Sequence, residues 1–319
     1  MKIVVLDSLP LDAGDLDWSG LNALGELIPH PSTSPDEVAG RIADADIVLT
    51  NKVPVRSNAL ADASRLRMIG VLATGYDVVD IVAARERGID VCNVPGYSSA
   101  FTAQTAIALI LELANRAGEH AASVRKGDWS ASPTFSYWKT PLVELDGKTL
   151  AIVGLGAIGR RVAAVCSAMG MHVVAAQLTG RASGESAYPR VALDEAFRVA
   201  DVISLHAPMT PQTKQLVNAD RLALMKSGAL IVNTARGGLV DEQAVADALR
   251  SGRLGGYAAD VLSKEPPPMD NPLLSAPNAI ITPHIAWASP DARQRLLAQT
   301  VTNVTGFLDG APVNVVNSG

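Results

Sequence analysis

The hexapeptide Gly154-Leu155-Gly156-Ala157-Ile158-Gly159 follows a β-branched run at residues 150–153 and opens a stretch of helical period. A strand, a GxGxxG turn and a helix in that order leave a chain few choices. The first glycine permits the tight turn, the second lets a pyrophosphate approach backbone N–H groups, and the third allows the helix to pack closely on its strand. A merely structural glycine turn would not call for the strands that follow. Five more short apolar runs do follow, at 173–176, 202–206, 230–233, 257–260 and 280–282, and helical stretches separate most of them. The six together predict a parallel, doubly wound dinucleotide-binding sheet.

A second series precedes it, with strands expected at 3–6, 47–50, 68–72 and 91–94 and helices near 34–43 and 79–88. At 319 residues the chain has room for two cores. A long amphipathic helix at 102–117 and a loop rich in Trp, Ser and Pro at 127–142 connect the two series, and a helix at 290–308 carries the chain back before an extended end at 312–316. The expected fold class is α/β, with two doubly wound parallel-sheet domains. A Rossmann nucleotide domain, residues 99–288, is inserted into a discontinuous flavodoxin-like substrate domain, residues 1–98 and 289–319.

Composition removes several function classes. Net charge is −5 and Lys or Arg never cluster beyond pairs such as Arg160-Arg161, which gives nucleic acid or an anionic membrane no electrostatic footing. Cys92 and Cys166 stand alone, without a CxxC pair or a Cys/His cluster, so both read as reduced core thiols and no metal site is expected. The start, Met1-Lys2-Ile3-Val4-Val5-Leu6-Asp7, turns polar too soon for a signal peptide, and no apolar run approaches the roughly 18 residues of a membrane span. A cytoplasmic location is the expectation.

The nucleotide fingerprint breaks at one informative place. An NAD site expects Asp or Glu near the end of the second strand, to hold the adenosine ribose hydroxyls. Here the stretch reads Val174-Ala175-Ala176-Gln177-Leu178-Thr179-Gly180-Arg181. Without a carboxylate nothing repels a 2′-phosphate, while Arg181 offers a fork and Thr179 a hydroxyl. NADP(H) is therefore favoured, with NAD(H) possible. An arginine there can also be a solvated loop cation, which would leave NAD taken with indifferent affinity.

Of the five histidines, His30, His120 and His172 have no evident partners, whereas His206 and His284 end predicted strands at the carboxyl edge, where an open α/β sheet places its ligand. His206-Ala207-Pro208 would line the cofactor, and Thr282-Pro283-His284-Ile285 would put an imidazole near the cleft between domains. Two other strand ends supply complementary groups: Arg236 in a glycine-flanked turn, and Glu265 before Pro266-Pro267. A guanidinium suits a substrate carboxylate, and a carboxylate beside His284 would favour the imidazolium and make it an acid near neutral pH. A hydrogen-bonded strand-end histidine, a surface ion pair for Glu265 and a capping or phosphate contact for Arg236 are the plainer accounts of the same residues.

Taken together, the motifs resemble the D-isomer-specific 2-hydroxyacid dehydrogenase family over essentially the whole length. The resemblance rests on Gly154–Gly159, on Val232-Asn233-Thr234-Ala235-Arg236-Gly237-Gly238-Leu239-Val240-Asp241-Glu242, on Gly255-Gly256-Tyr257-Ala258-Ala259-Asp260-Val261, on Glu265-Pro266-Pro267 and on Thr282-Pro283-His284-Ile285. Ala73-Thr74-Gly75-Tyr76-Asp77, Cys92-Asn93-Val94-Pro95-Gly96-Tyr97, Asp270-Asn271-Pro272-Leu273-Leu274 and His284-Ile285-Ala286-Trp287-Ala288-Ser289 are similar to those of glycerate dehydrogenases, also called hydroxypyruvate reductases.

The resemblance implies that His284 is the acid/base, Glu265 its partner and Arg236 the substrate clamp. It implies that Ala73, Thr74 and Gly75 meet the substrate, the last two through their amides. Asp260 would orient the nicotinamide carboxamide. Thr102, Gly154, Gly156, Ala157, Ile158, Gly159, Thr179, Arg181, His206, Ala207, Pro208, Thr213, Thr234, Ala235, His284 and Ala286 would lie along the cofactor. The departures are Gln177 and Gln104, where acids are frequent; Thr179-Gly180-Arg181 resembles the phosphate-reading turn of NADP-dependent members. The implied reaction is reduction of a small 2-keto acid, hydroxypyruvate or glyoxylate, to the D-2-hydroxy acid, and its reverse. Domain closure would pivot at 96–100 and 287–290. A homodimer is implied, with Trp138 either capping a second copy's pocket or anchoring the interface. A dehydrogenase for another 2-hydroxy acid, or a non-catalytic nucleotide-sensing binding protein like the co-repressors of this fold, are the alternatives.

Overall fold

The computed structural model describes residues 1–178 and 186–318. Its first sheet has strands β1 (Lys2–Val5), β2 (Glu26–Pro29), β3 (Ile47–Thr50), β4 (Met68–Val71) and β5 (Asp90–Cys92). All pair in parallel, in the order β2-β1-β3-β4-β5, which is the flavodoxin-like order. Every residue of β3 and β4 is buried, because elements cover both faces of a parallel sheet and leave no polar alternation. Sequence reading expects four strands here and misses β2. That strand lies at the sheet edge, half-exposed, with Glu26 at one end and Pro29 at the other, a composition tolerated only where one side of a strand pairs with nothing.

The chain divides into two units, Met1–Ser98 with Trp287–Gly319, and Ser99–Ala286. In the first, the helix Pro290–Leu308 starts from Ser289, whose side chain accepts the Ala292 N–H, with Pro290 in its first turn. It buries Leu296, Leu297 and Val304. Arg293 on the same helix grips the Asp15 carboxylate at 2.5 and 2.7 Å and donates to the Leu11 and Ala288 carbonyls. The expected extended end forms one antiparallel bridge, Val315 to Cys92.

The second unit holds β6 (Thr149–Val153), β7 (His172–Gln177), β8 (Arg190–Ala192), β9 (Val202–Leu205), β10 (Ala229–Asn233), β11 (Leu254–Ala259) and β12 (Ala279–Ile281). Their order is β12-β11-β10-β9-β6-β7-β8. Counted within this unit, that is the dinucleotide-binding order 3-2-1-4-5-6 with one strand added. The expectation of six strands omits β8, which is the third strand of that order. It is short and partly exposed, and its Arg-Val-Ala carries too little apolar character to read as a strand.

The helix expected at 102–117 runs Ser99–Asn115 and stops because Arg116 takes φ 51, a left-handed conformation that ends one helix and starts the next, Ala117–Arg125. Its Ala106, Ile110 and Leu113 pack with Leu150, Ile152 and Val162 beneath the sheet. His120, expected without partners, uses both ring nitrogens, Nδ1 with the Arg116 carbonyl at 2.8 Å and Nε2 with the Lys139 N–H at 3.2 Å. The two cysteines are free and buried, and burial pushes each thiol up to about 11, which keeps it protonated and inert. Among the described residues no helix is long and apolar enough to cross a membrane. What matters for chemistry is the carboxyl edge of the second sheet, where β6, β9, β10, β11 and β12 end next to Gly154, His206, Thr234, Asp260 and Thr282.

Candidate active site

Two of the three loop glycines are required by the protein itself. Gly154 has φ 102, and a Cβ there would stand 2.6 Å from the Ala207 nitrogen. A Cβ on Gly159 would overlap the Gly154 carbonyl oxygen, so the helix Ala157–Ala168 sits close against its strand. Gly156 is different. It caps that helix, yet a Cβ there would meet no protein atom within 4 Å. The open space lies before the N–H groups of a helix N-terminus, where Ala157 and Ile158 begin the first turn. Nearby strand ends carry two buried polar atoms without protein partners, His206 Nδ1 and Thr234 Oγ1. Room for an anion and orphaned hydrogen-bonding atoms fit a dinucleotide.

The other expected cofactor residues have visible local duties. Ala207 is fully buried, and Pro208 is exposed but gives its carbonyl to Thr213 Oγ1, which also accepts the Thr210 N–H, so Thr213 closes this turn. Thr102 Oγ1 donates to the Ala286 carbonyl at 2.9 Å. Ser204, two residues before His206 on β9, meets its Nε2 at 2.8 Å. The residue as a whole is half-buried, its Nδ1 is out of reach of water, and burial pushes its pKa down to about 4. His206 is therefore a neutral hydrogen-bonding ring near pH 7.

A stability effect follows. An unfolded histidine titrates near 6.5, so as pH falls from about 6.5 to about 4 the unfolded chain binds a proton that the folded ring refuses. Folding stability of the cofactor-free protein is unaffected by this group above that window and declines through it, by up to about 3 kcal/mol. Urea titrations at pH 7.5 and 4.5 should show His206→Gln losing correspondingly less stability than wild type. Equal acid losses would contradict the assignment.

The arginine turn is built by a side chain with no exposure. Asn233, 0% exposed at the end of β10, donates through Nδ2 to the Arg236 carbonyl at 2.9 Å and accepts the Ala235 N–H at 3.0 Å. Arg236 itself donates to the Ala235 carbonyl at 2.7 Å. The next residue is pressed against another segment: a Cβ on Gly237 would overlap the Leu262 carbonyl group and the Ser263 nitrogen. The Arg236 turn and the loop bearing Glu265 thus share a backbone contact.

That loop aims its carboxylate at His284. Glu265 Oε1 accepts the Leu262 N–H at 2.9 Å, and Oε2 lies 2.6 Å from His284 Nδ1. A carboxylate only accepts, so Nδ1 carries the hydrogen of this pair. His284 stands at φ 56. Asp260, 1% exposed, holds it there: one carboxylate oxygen takes the Thr282 hydroxyl at 2.5 Å and the Ile285 N–H at 2.9 Å, the other the Ala286 N–H at 2.7 Å. These bonds bracket His284 on both sides.

Arg236, Glu265 and His284 therefore belong to one connected framework in the second unit. Of the other expected substrate residues, the turn after β4 in the first unit carries three. Ala73 accepts the Val94 N–H, Thr74 donates from Oγ1 to the Val94 carbonyl at 3.0 Å and accepts from Asn93 Nδ2 at 2.7 Å, and Gly75 follows. Trp138 is 70% exposed. Thr179 and Arg181 lie outside the described residues. Sequence reading missed Asn233 and Ser204 as participants. Ser204 was detectable, because residues two apart on a strand share a face; Asn233 was not, since its partners depend on a turn.

The family model for the D-isomer specific 2-hydroxyacid dehydrogenase NAD binding domain matches residues 107–286. The chain belongs to this family. It is 47% identical to a hydroxypyruvate reductase of Blautia hydrogenotrophica, over 99% of this chain and 100% of that one. A glycerate dehydrogenase of Methylorubrum extorquens is 41% identical over 99% of both chains. Among solved structures, a protein of Thermus thermophilus matches with TM-score 0.88 and 37% identity, over 99% of this chain and 100% of that one. Membership makes the chain an oxidoreductase of the 2-hydroxyacid dehydrogenase type that uses a nicotinamide cofactor, and the glycine loop and orphaned polar atoms described above are suited to hold that group.

Proposed function

We propose that this chain reduces hydroxypyruvate, and glyoxylate as a smaller substrate, to the D-2-hydroxy acid with NADPH as the favoured donor. The carrying observation is the 2.6 Å pair of His284 Nδ1 and Glu265, tied by loop contact to the Arg236 turn. A bound reduced nicotinamide supplies hydride to the keto carbon. His284 gives the Nε2 proton to the carbonyl oxygen, while Glu265 on Nδ1 holds the ring's orientation. Arg236 opposes the charge that develops on that oxygen and the charge of the substrate carboxylate. Asp260 spends both oxygens on the His284 turn, so positioning that turn comes before any contact with the carboxamide.

The cofactor preference rests on Gln177, the exposed last residue of β7, which stands where a carboxylate would repel a 2′-phosphate. We take Arg181 as the phosphate ligand. The chain also acts as a homodimer in this reading. Its support is the exposed apolar side of the loop after Ala117–Arg125, where Phe135 is 93% exposed and Trp129, Trp138 and Leu142 are exposed with it. Light scattering giving the mass of one chain would end that part.

The deciding experiment is a spectrophotometric panel of hydroxypyruvate, glyoxylate and pyruvate with NADPH and NADH in parallel. Hydroxypyruvate should give the highest kcat/KM, NADPH should exceed NADH, and Arg181→Ala should lower that ratio by about tenfold, the worth of one lost charge-assisted contact. An unchanged ratio would refute the phosphate role. Tight cofactor binding with no turnover of any 2-keto acid would refute the catalytic reading.

A further inference from the structure

The loop that presents Glu265 is exposed along 263–266 and again at 268–270, and Met269 within it is 93% exposed. Such a segment has little packing of its own to fix a carboxylate within hydrogen-bond range of an imidazole. Its own bonds are short-range, Leu262 N–H to Glu265 and Asn271 N–H to the Pro268 carbonyl. Both of its ends, however, are tied to a single distant side chain. Glu242 Oε1 accepts the Ser263 N–H at 2.6 Å, and Glu242 Oε2 accepts from Asn271 Nδ2 at 2.8 Å. Asn271 is only 6% exposed and uses its Oδ1 to take the Leu273 N–H at 3.0 Å, so neither end of its amide is spare.

We infer that Glu242 is a positioning residue for the acid/base pair, acting as the clasp that closes the loop carrying Glu265. Its own mounting is rigid. Glu242 is the first residue of the helix Glu242–Arg250, which is capped by Asp241 through the Ala244 N–H and anchored by buried Val245, Ala246 and Leu249. A carboxylate in a first helical turn is favourably placed against the helix dipole, and here each of its two oxygens accepts one bond. The Ser263 end of the clasp is also the segment pressed against Gly237, so Glu242 holds the Glu265 loop to the Arg236 turn as well. The bonds of Glu242 go to the two ends of the loop, and its effect reaches the chemistry through geometry alone.

The inference rests on Glu265 and His284 being the acid/base pair, and a reciprocal exchange tests it separately from that reading. Glu242→Gln turns one acceptor into a donor facing the Asn271 amide. Asn271→Asp sets two carboxylates face to face. The double variant Glu242→Gln with Asn271→Asp restores a donor to an acceptor, while the introduced aspartate would still take the Leu273 N–H. With hydroxypyruvate, each single variant should lower kcat at least tenfold while the NADPH dissociation constant, read by fluorescence titration, stays within about twofold; the double variant should recover kcat to within about threefold of wild type. Thermal unfolding of all four proteins is recorded alongside. Active wild type with single variants within twofold of it in kcat overturns the inference and leaves the site reading intact. Single variants that lose melting temperature and cofactor binding together, with no recovery in the double, overturn it as well. Wild type that reduces no 2-keto acid overturns both.

Discussion

His284→Asn should lower kcat by roughly 100- to 10,000-fold and leave the cofactor dissociation constant within about twofold. Asparagine is the informative replacement because His284 has φ 56, a conformation that asparagine accepts and alanine resists. The turn should therefore survive, since its bonds run from Asp260 to Thr282, Ile285 and Ala286 and use no atom of the imidazole. What disappears is the Nε2 proton and the partner of Glu265. Stopped-flow reduction with saturating NADPH separates the two quantities. A kcat within tenfold of wild type would remove His284 from the proton transfer, and loss of cofactor binding would point to a collapsed turn instead.

The second large effect belongs to a residue with no side chain. Gly237→Ala forces a Cβ into the Leu262 carbonyl and the Ser263 nitrogen, and backbone cannot rotate aside as a long side chain would. The loop must retreat from the Arg236 turn. A loss of about 3 kcal/mol in folding stability is expected, together with a fall of roughly 100-fold in kcat/KM, the usual consequence of displacing catalytic groups by about 1 Å. Gly156→Ala is the control, because its Cβ meets only open space before the helix N-terminus. That variant should melt with wild type but bind NADPH more weakly. A Gly237→Ala enzyme with wild-type stability and turnover would mean that the two segments are not packed as described.

Much of this arrangement can be read from the chain alone, for physical reasons. β3 and β4 are continuous apolar runs because both faces are covered, and such runs are conspicuous. The glycine spacing is legible since backbone geometry allows few substitutes at Gly154 and Gly159. The edge strands β2 and β8 were missed, as an edge needs neither an apolar run nor a full set of hydrogen bonds. The helix break at Arg116 carries no glycine to announce it. In the candidate active site the residues proposed for the chemistry stand out by type, while those that hold them do not. Glu242 lies 21 residues from Ser263 and 29 from Asn271, and such pairings exist only once the sheet brings β10 and β11 side by side. Asp260 was legible as a functional acid, but its bonds to the His284 turn required the β11–β12 pairing.

The most direct measurement is a crystal structure of the protein with NADP⁺ and oxamate, an unreactive analogue of a 2-keto acid. The account predicts one oxamate molecule whose amide carbonyl oxygen lies within about 3.2 Å of both His284 Nε2 and the Arg236 guanidinium, with the Glu265 carboxylate still on Nδ1. An analogue that reaches only one of the two, with the other directed into a different cavity, would contradict it.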